Sequence, residues 1–312
     1  MDVSVVICTY SMERYDVFSE CVESVLAQTH EPLEIVIVVD GNPEVFDRVQ
    51  EDFSYHDNVV LHDNNENQGI SYSRTKGAEL ASGDIVAFID DDATAESGWT
   101  QCLADVYERT NAIAVGGDVR PDWQTEKPDF FPAEFYWLVG CVEPGFAVDG
   151  EEVRNTYGSN ISYRREEFLD VGGYDPNTGR KGDKHLQAHE APVGIRLRRE
   201  FGKGMVFTED AVVDHKLFDY RGEFRWLVAR SFWQGYSKRV MDLLYPDAED
   251  NKRSYLKQLL TYFVPKRMTN LVQQPSFAHL QQLVAIFVFT TAVGLGYLYA
   301  VVTPDVVKKA NS

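Results

Sequence analysis

Three consecutive carboxylates, Asp90-Asp91-Asp92, stand directly behind the apolar run IVAFI at residues 85–89. Like charges on one turn repel each other, so the run costs stability unless a cation or solvent neutralises it. Hard divalent ions with oxygen ligands meet that need: Mg2+ or Mn2+ is held by one or two carboxylates plus the phosphates of a substrate. Two further polar signals follow apolar runs in the same way, Thr9-Tyr10-Ser11 behind VSVVIC and Asp40 behind IVIVV. Ligands of open parallel sheets bind outside the carboxyl ends of the strands, so neighbouring strands would bring the three signals to one crevice. The other reading of the triple aspartate is an acidic loop or helix cap near residues 93–98.

The surrounding pattern supplies such strands. Residues 3–9 (VSVVICT), 33–39 (LEIVIVV), 59–61, 85–89 and 113–119 read as strands, the longer ones apolar enough to be buried on both faces. Segments 16–28, 43–53, 70–81 and 98–109 between them carry helical spacing. This alternation with short turns predicts an α/β fold with a doubly wound, mostly parallel sheet of the nucleotide-binding kind. No GxGxxG follows the first strand, which argues against a dinucleotide oxidoreductase. Beyond Pro121 lies an aromatic stretch (Trp123, Phe130, Phe131, Phe135, Tyr136, Trp137) that reads as a subdomain core, or as the lining of a sugar or lipid site. A strand at 160–164, the turn Gly172-Gly173-Tyr174-Asp175, a helix near 190–200, a strand at 204–207 and a helix near 224–244 follow.

Taken together, VSVVICTY, ESVLAQT (23–29), EIVIVVDGN (34–42) and NQGISYSRTKGAELASGDIVAFIDDDA (67–93) resemble the inverting family-2 glycosyltransferases of GT-A fold, over roughly residues 1–215. The resemblance implies a nucleotide-diphosphate sugar donor, with Asp40 on the base, Arg74 near the base or diphosphate, Asp90 on ribose and metal, and Asp92 as the main metal ligand. The nucleotide-sugar set is thus Thr9, Tyr10, Asp40, Arg74, Asp90 and Asp91, and the metal set Asp90, Asp92 and His215. GSNISYRREEFLDVGGYDP (158–176) resembles the family's acceptor-side strand and turn, and where the family carries an acidic pair this chain has Glu190-Ala191. Glu190 is therefore the candidate catalytic base, with Asp175 and Asp183 in reserve; a helix-opening charge favoured by the macrodipole is its plainer reading. His215, at the end of AVVDHK, resembles the family's late metal- or diphosphate-contacting histidine, although a strand-end histidine is also a common structural hydrogen-bonder. Processive members carry Q-x-x-R-W and several membrane helices; RSFWQGYSKR (230–239) and one apolar segment predict transfer of a single sugar.

Charge and hydropathy suggest the setting. The formal net charge is −19, yet residues 1–150 hold 30 acidic and 7 basic side chains while residues 151–312 hold 19 and 23. So acidic a front half repels phosphate backbones, which excludes sequence-independent nucleic-acid binding, and it also suits a protein that works in high salt. The four cysteines show no CxxC spacing and read as reduced, mostly buried thiols of a cytosolic compartment.

Residues 283–302 carry no charge, and as a helix they reach about 30 Å, the thickness of a bilayer's hydrocarbon core. Five bases between 252 and 267 against Lys308 and Lys309 put the preceding mass in the cytoplasm if the segment crosses the membrane once. A buried core helix is the alternative; under the crossing reading, removal of 279–312 leaves a soluble, folded protein.

The expected organisation is a nucleotide-sugar half (1–120), an acceptor half (121–245), membrane-proximal amphipathic helices (246–280), a transmembrane helix (281–303) and a tail (304–312). An enzyme so placed needs an anionic acceptor at the bilayer, such as a polyprenyl or dolichyl phosphate or a saccharide linked to one. Arg164, Arg221, Arg225, Arg230, Lys238 and Arg239 are the candidate acceptor or phosphate contacts. The acidic composition and this layout resemble the haloarchaeal branch of the family that builds dolichol-linked glycans for protein N-glycosylation. That resemblance implies a UDP-sugar donor, glucuronic acid among the candidates, and other glycosylation enzymes as partners. Arg164, Arg165 or Arg180 would be the cation for a uronate. A nucleotidyltransferase on a related sheet, or a scaffold without turnover, would keep the same carboxylates.

Overall fold

The structure, a computed structural model, describes residues 1–175, 190–245 and 252–303. The chain divides into two compact units, Met1–Arg120 with Ala147–Lys184 and Ala188–Lys216, and Pro121–Phe146 with His185–Gln187 and Leu217–Ser312. The expected acceptor half at 121–245 does not follow this division. Residues 147–175 and 190–216 return to the first unit because three strands of the sheet, at 152–153, 161–164 and 205–217, lie there.

In the first unit β1 (Val3–Thr9) is buried at every position, since helices cover both faces of the sheet. Parallel to it run β2 (Glu34–Val39) and β4 (Ile85–Asp90), and β3 (Val59–Asp63) extends β2. The helices between them follow the sequence pattern closely. α1 (Tyr15–Leu26) buries Phe18, Cys21, Val22 and Val25, and α2 (Pro43–Phe53) starts where Asn42 caps the Val45 amide ahead of Pro43. α3 (Ile70–Leu80) and α4 (Trp99–Arg109) complete this half.

The sheet then changes direction. Its order is β3-β2-β1-β4-β8-β6-β9-β5, with β8 (Ile161–Arg164) antiparallel to both β4 and β6 (Ala114–Trp123). The sheet is therefore mixed: the mostly parallel arrangement holds only through β4, because β8 enters from a distant segment and separates β6 from the parallel series. Asn160 secures that entry. It accepts from the Trp99 indole at 2.8 Å and donates to the Asp118 and Ala211 carbonyls, each at 2.8 Å. β9 (Met205–Leu217) is longer than the expected 204–207 and pairs with two short strands, β7 (Glu152–Val153) and β5 (Ala93–Ala95). Two short helices, α5 (Arg165–Asp170) and α6 (Glu190–Phe201), close the unit.

The second unit is helical. α7 (Phe224–Leu244) is followed by α8 (Lys252–Gln258), a π turn (Leu259–Phe263), α9 (Val264–Gln273) and α10 (Phe277–Val302). Part of the aromatic stretch is core, as Phe131, Phe135 and Phe289 are all buried and their rings meet. The apolar helix α10 lies along α7 at backbone contact. A Cβ on Gly235 would stand 1.9 Å from the Val293 carbonyl oxygen, and one on Gly296 1.8 Å from that of Phe232. The buried face of α10, Ala285, Phe289, Ala292, Gly296 and Ala300, repeats at helical spacing. One face of the expected membrane segment is thus already covered by protein.

Candidate active site

Register brings the polar strand ends together. Asp90 at the end of β4 pairs with Cys8, one residue before Thr9, and Thr9 pairs with Val39, one residue before Asp40. Each aspartate of the triple run is partnered, Asp91 and Asp92 by the same guanidinium. Asp90 Oδ1 meets Arg74 Nη2 at 2.5 Å. Asp91 accepts from Thr9 Oγ1 at 3.1 Å and from Arg14 Nη2 at 2.8 Å. Asp92 takes the same Arg14 nitrogen at 2.9 Å, and its other oxygen lies 3.3 Å from His215 Nε2. The repulsion expected along the run is met by two guanidinium groups of the chain itself. Burial still pushes the Asp91 carboxyl up to about 7, with Asp92 and Asp90 adding to the rise against the Arg14 charge and the Thr9 hydrogen bond.

Arg74 organises the other side. It projects from α3, is 4 % exposed, donates to the Gly158 carbonyl at 3.0 Å and lies over the Tyr174 ring at 5.4 Å. Its Nη1 is 3.6 Å from Oε1 of Glu190, the first residue of α6. Burial works against the guanidinium charge, but Asp90, then Tyr174 and Glu190, outweigh it and hold its pKa above the ordinary value. Gly158 makes this approach possible: a Cβ there would lie 2.3 Å from Glu190 Oε1 and 2.7 Å from Arg74 Nη1. The aromatic of the GG-aromatic-Asp turn is fixed by its backbone, since the Tyr174 amide donates to Thr75 Oγ1 at 2.9 Å.

Asp40 has a local task as well. Its carboxylate accepts from Asn64 Nδ2 at 2.9 Å and from the backbone amides of Gln68 at 2.9 Å and Gly69 at 2.8 Å, which fixes the entry to α3 and hence Arg74. Gly69 takes φ +88° there, a left-handed backbone that suits glycine. Tyr10 is 54 % exposed at the rim.

The donors suit a divalent cation. Two ligands at about 2.1 Å on adjacent octahedral positions stand about 3.0 Å apart, and Asp92 Oδ1 and His215 Nε2 are 3.3 Å apart. Among the described residues no three acidic, histidine or cysteine side chains converge as a ready cage. Two protein ligands completed by substrate phosphates is the pattern Mg2+ and Mn2+ favour. His215 reaches Asp92 because β5, which the sequence pattern suggested only as a loop, pairs Ala93 with His215.

Several expected contacts lie elsewhere. Arg164 pairs with Ile85 at the opposite end of β4, about 17 Å along the strand from Asp90. Its guanidinium donates to the Ala112 carbonyl at 2.9 Å and lies over Tyr107, so it is not brought to the Asp90–Glu190 cluster. Arg165 donates to the Ala78 carbonyl at 2.9 Å in the same region. In the helical unit, Arg230 donates to the Leu138 carbonyl at 3.1 Å, Lys238 lies over Trp137, and Arg239 lies over Tyr297. Asp183 and Arg180 fall outside the described residues. Sequence reasoning passed over Arg14, Gly158 and the bridging part of Arg74. Arg14 was detectable as the one base between the first strand and the first helix, in a half that has 7 bases among 150 residues.

Residues 4–172 match the family described as Glycosyl transferase family 2. The chain is 67 % identical, over 313 aligned residues and the full length of both proteins, to the glucosyl-dolichyl phosphate glucuronosyltransferase of Haloferax volcanii. It is 26 % identical over 201 residues to glycosyltransferase AglE of the same organism, covering 62 % of this chain and 63 % of that one. Among solved structures it resembles the mannosyltransferase PcManGT of Pyrobaculum calidifontis, in complex with GDP-Man and Mn2+ (TM-score 0.58, 16 % identity, 95 % of this chain and 87 % of that one). It also resembles S. aureus TarS 1-349 in complex with UDP (TM-score 0.53, 15 % identity, 100 % and 87 %). At these identities the structural likeness is one of fold.

Proposed function

This chain belongs to glycosyl transferase family 2 and is a glycosyltransferase; on that premise we propose that it moves one glucuronic acid from UDP-glucuronate to a glucosyl-dolichyl phosphate, with inversion, in the assembly of a lipid-linked glycan for protein N-glycosylation. The observation that carries the reading is the full-length similarity to the Haloferax enzyme of that name. The site supports the chemistry. Asp90 and Glu190 converge on the two nitrogens of one buried guanidinium, so that a donor-side carboxylate and the candidate base stand on either side of Arg74.

In the reaction the acceptor hydroxyl oxygen bonds to the anomeric carbon as the bond from that carbon to the β-phosphate oxygen breaks. The hydroxyl proton goes to Glu190 and UDP leaves. Asp40 positions the entry to α3 beside the nucleotide, the buried Thr9 holds Asp91, Tyr10 is exposed at the strand end, and Arg74 orients Glu190. Asp92 and His215 are the residues that would hold Mg2+ or Mn2+, and Asp90, bound to Arg74, would turn toward the ion only with substrate in place. Such an ion supplies charge neutralisation for the departing diphosphate.

On this reading the protein associates with the membrane through its apolar C-terminal helix, with its catalytic unit on the cytoplasmic side. Membranes bearing the protein, incubated with radiolabelled UDP-sugars and either dolichyl phosphate or its glucosylated form, test the reading. Label should enter the lipid phase from UDP-glucuronate with the glucosylated lipid, and UDP should be released. Pyrophosphate release would instead indicate a nucleotidyltransferase, and label on bare dolichyl phosphate would indicate a different acceptor.

A further inference from the structure

Among the described residues hydropathy alone marks one helix long enough to cross a bilayer, Phe277–Val302. Its neighbours in the fold argue against a crossing. From Phe289 onward α10 runs beside α7: Phe289 meets Phe224, Gly296 meets the Phe232 carbonyl, and Ala300 packs with Val240. Only residues 277–288 precede this pairing, about 18 Å of helix against the roughly 30 Å of hydrocarbon to be spanned. If α10 crossed, α7 would be drawn in with it. Near its end α7 carries Arg239 over the Tyr297 ring and Asp242 accepting from Tyr297 Oη at 3.1 Å. Charged groups at lipid depth are costly, and the residues of α7 that meet α10 are tied to it by backbone contact.

The opposite face of α10 is apolar and open. Leu280, Val284, Phe287, Leu295, Leu298 and Val302 are all exposed and repeat at helical spacing. Charge names the partner. Residues 252–302 contain no Asp or Glu and five Lys or Arg, where the chain average of 49 acids in 312 residues would put about eight acids. On α9 the exposed Met268 and Val272 accompany the exposed Lys266. Arg267 pairs with the buried Glu134 at 2.7 Å, which leaves Lys257 and Lys266 as the exposed bases on the described parts of α8 and α9; exposed bases beside an apolar face are what an anionic leaflet selects.

We propose that α10 lies in the plane of the membrane, backed by α7, and inserts its outer face into one leaflet of anionic lipid, so that the chain ends on the same side as its catalytic unit. This rests on the membrane-associated reading above and replaces the single crossing that hydropathy suggests. The test uses the full chain carrying one epitope before Met1 and another after Ser312, in inverted and right-side-out membrane vesicles. Protease should remove both epitopes from the same vesicle population and spare both in the other. Removal of the two epitopes from opposite populations overturns the in-plane arrangement and leaves membrane association standing. Protein that fails to sediment with either population overturns both. A second variant, Leu295→Glu with Leu298→Glu, should lower the membrane-bound fraction at least tenfold while UDP binding by the released protein is retained. An unchanged membrane-bound fraction counts against insertion of that face.

Discussion

Arg74 divides its guanidinium between Asp90 and Glu190, and substitutions on its two sides should therefore separate kinetically. Glu190→Gln removes a base that acts only as the acceptor proton leaves, so kcat should fall by about 10²–10⁴ with UDP affinity nearly unchanged. Asp92→Asn should instead weaken divalent-ion-dependent UDP binding, read by calorimetry with and without the metal. Gly158→Ala forces a Cβ to within 2.3 Å of Glu190 Oε1, and a displacement near 1 Å at a reacting group costs about 10² in rate; its melting temperature should change little while kcat drops. Arg14→Ala leaves Asp91 and Asp92 facing each other without their shared cation. Arg14 is partly exposed, so the loss should be about 2–3 kcal/mol by denaturant melts, below the full cost of a broken buried pair. Asp90, Asp92 and Glu190 were legible as residue types behind strands or in a family position. Arg14 and Gly158 were not, because their roles depend on chain segments far apart in sequence. That Arg164 emerges at the other end of β4 from Asp90 was hidden too, because a charge beside a strand does not reveal at which end of the sheet it emerges.

Elements with a long, repeated pattern were readable to within a residue or two. Pro43–Phe53 and Phe224–Leu244 coincide with the expected helices, and β1 with the expected strand. The short pieces were not: β5 has three residues, β7 two and α5 six, too few for any periodicity to register. Those pieces matter to the site, since β5 is what holds His215 at Asp92. The antiparallel insertion of β8 was equally hidden, because an apolar strand carries no mark of its direction. On the helical side the decisive element is α10. Phe289 is fully buried against Phe131, Phe135 and Phe224, and Phe289→Ala should cost about 3–5 kcal/mol. A purely lipid-facing residue at that position would cost little, so a denaturation series in detergent distinguishes the two.

At the scale of the whole molecule, removal of residues 279–312 takes Phe289 from that aromatic core. Contrary to the expectation from hydropathy, the truncated chain should expose Phe131 and Phe135 and aggregate instead of remaining as a soluble folded enzyme. Size-exclusion chromatography checks this. The charge imbalance acts globally too. With 30 acids against 7 bases in residues 1–150, self-repulsion should lower the melting temperature as KCl falls from molar levels toward ~0.1 M, where the screening length grows to about 10 Å.

The central claim, inverting transfer of glucuronate to a lipid-linked glucose, is tested most directly by the anomeric configuration of the product. Purified full-length protein, given the α-linked donor UDP-glucuronate and glucosyl-dolichyl phosphate, should yield one added β-linked glucuronosyl residue by NMR of the released disaccharide. An α-linked product, or a lipid recovered without glucuronate, would contradict the account.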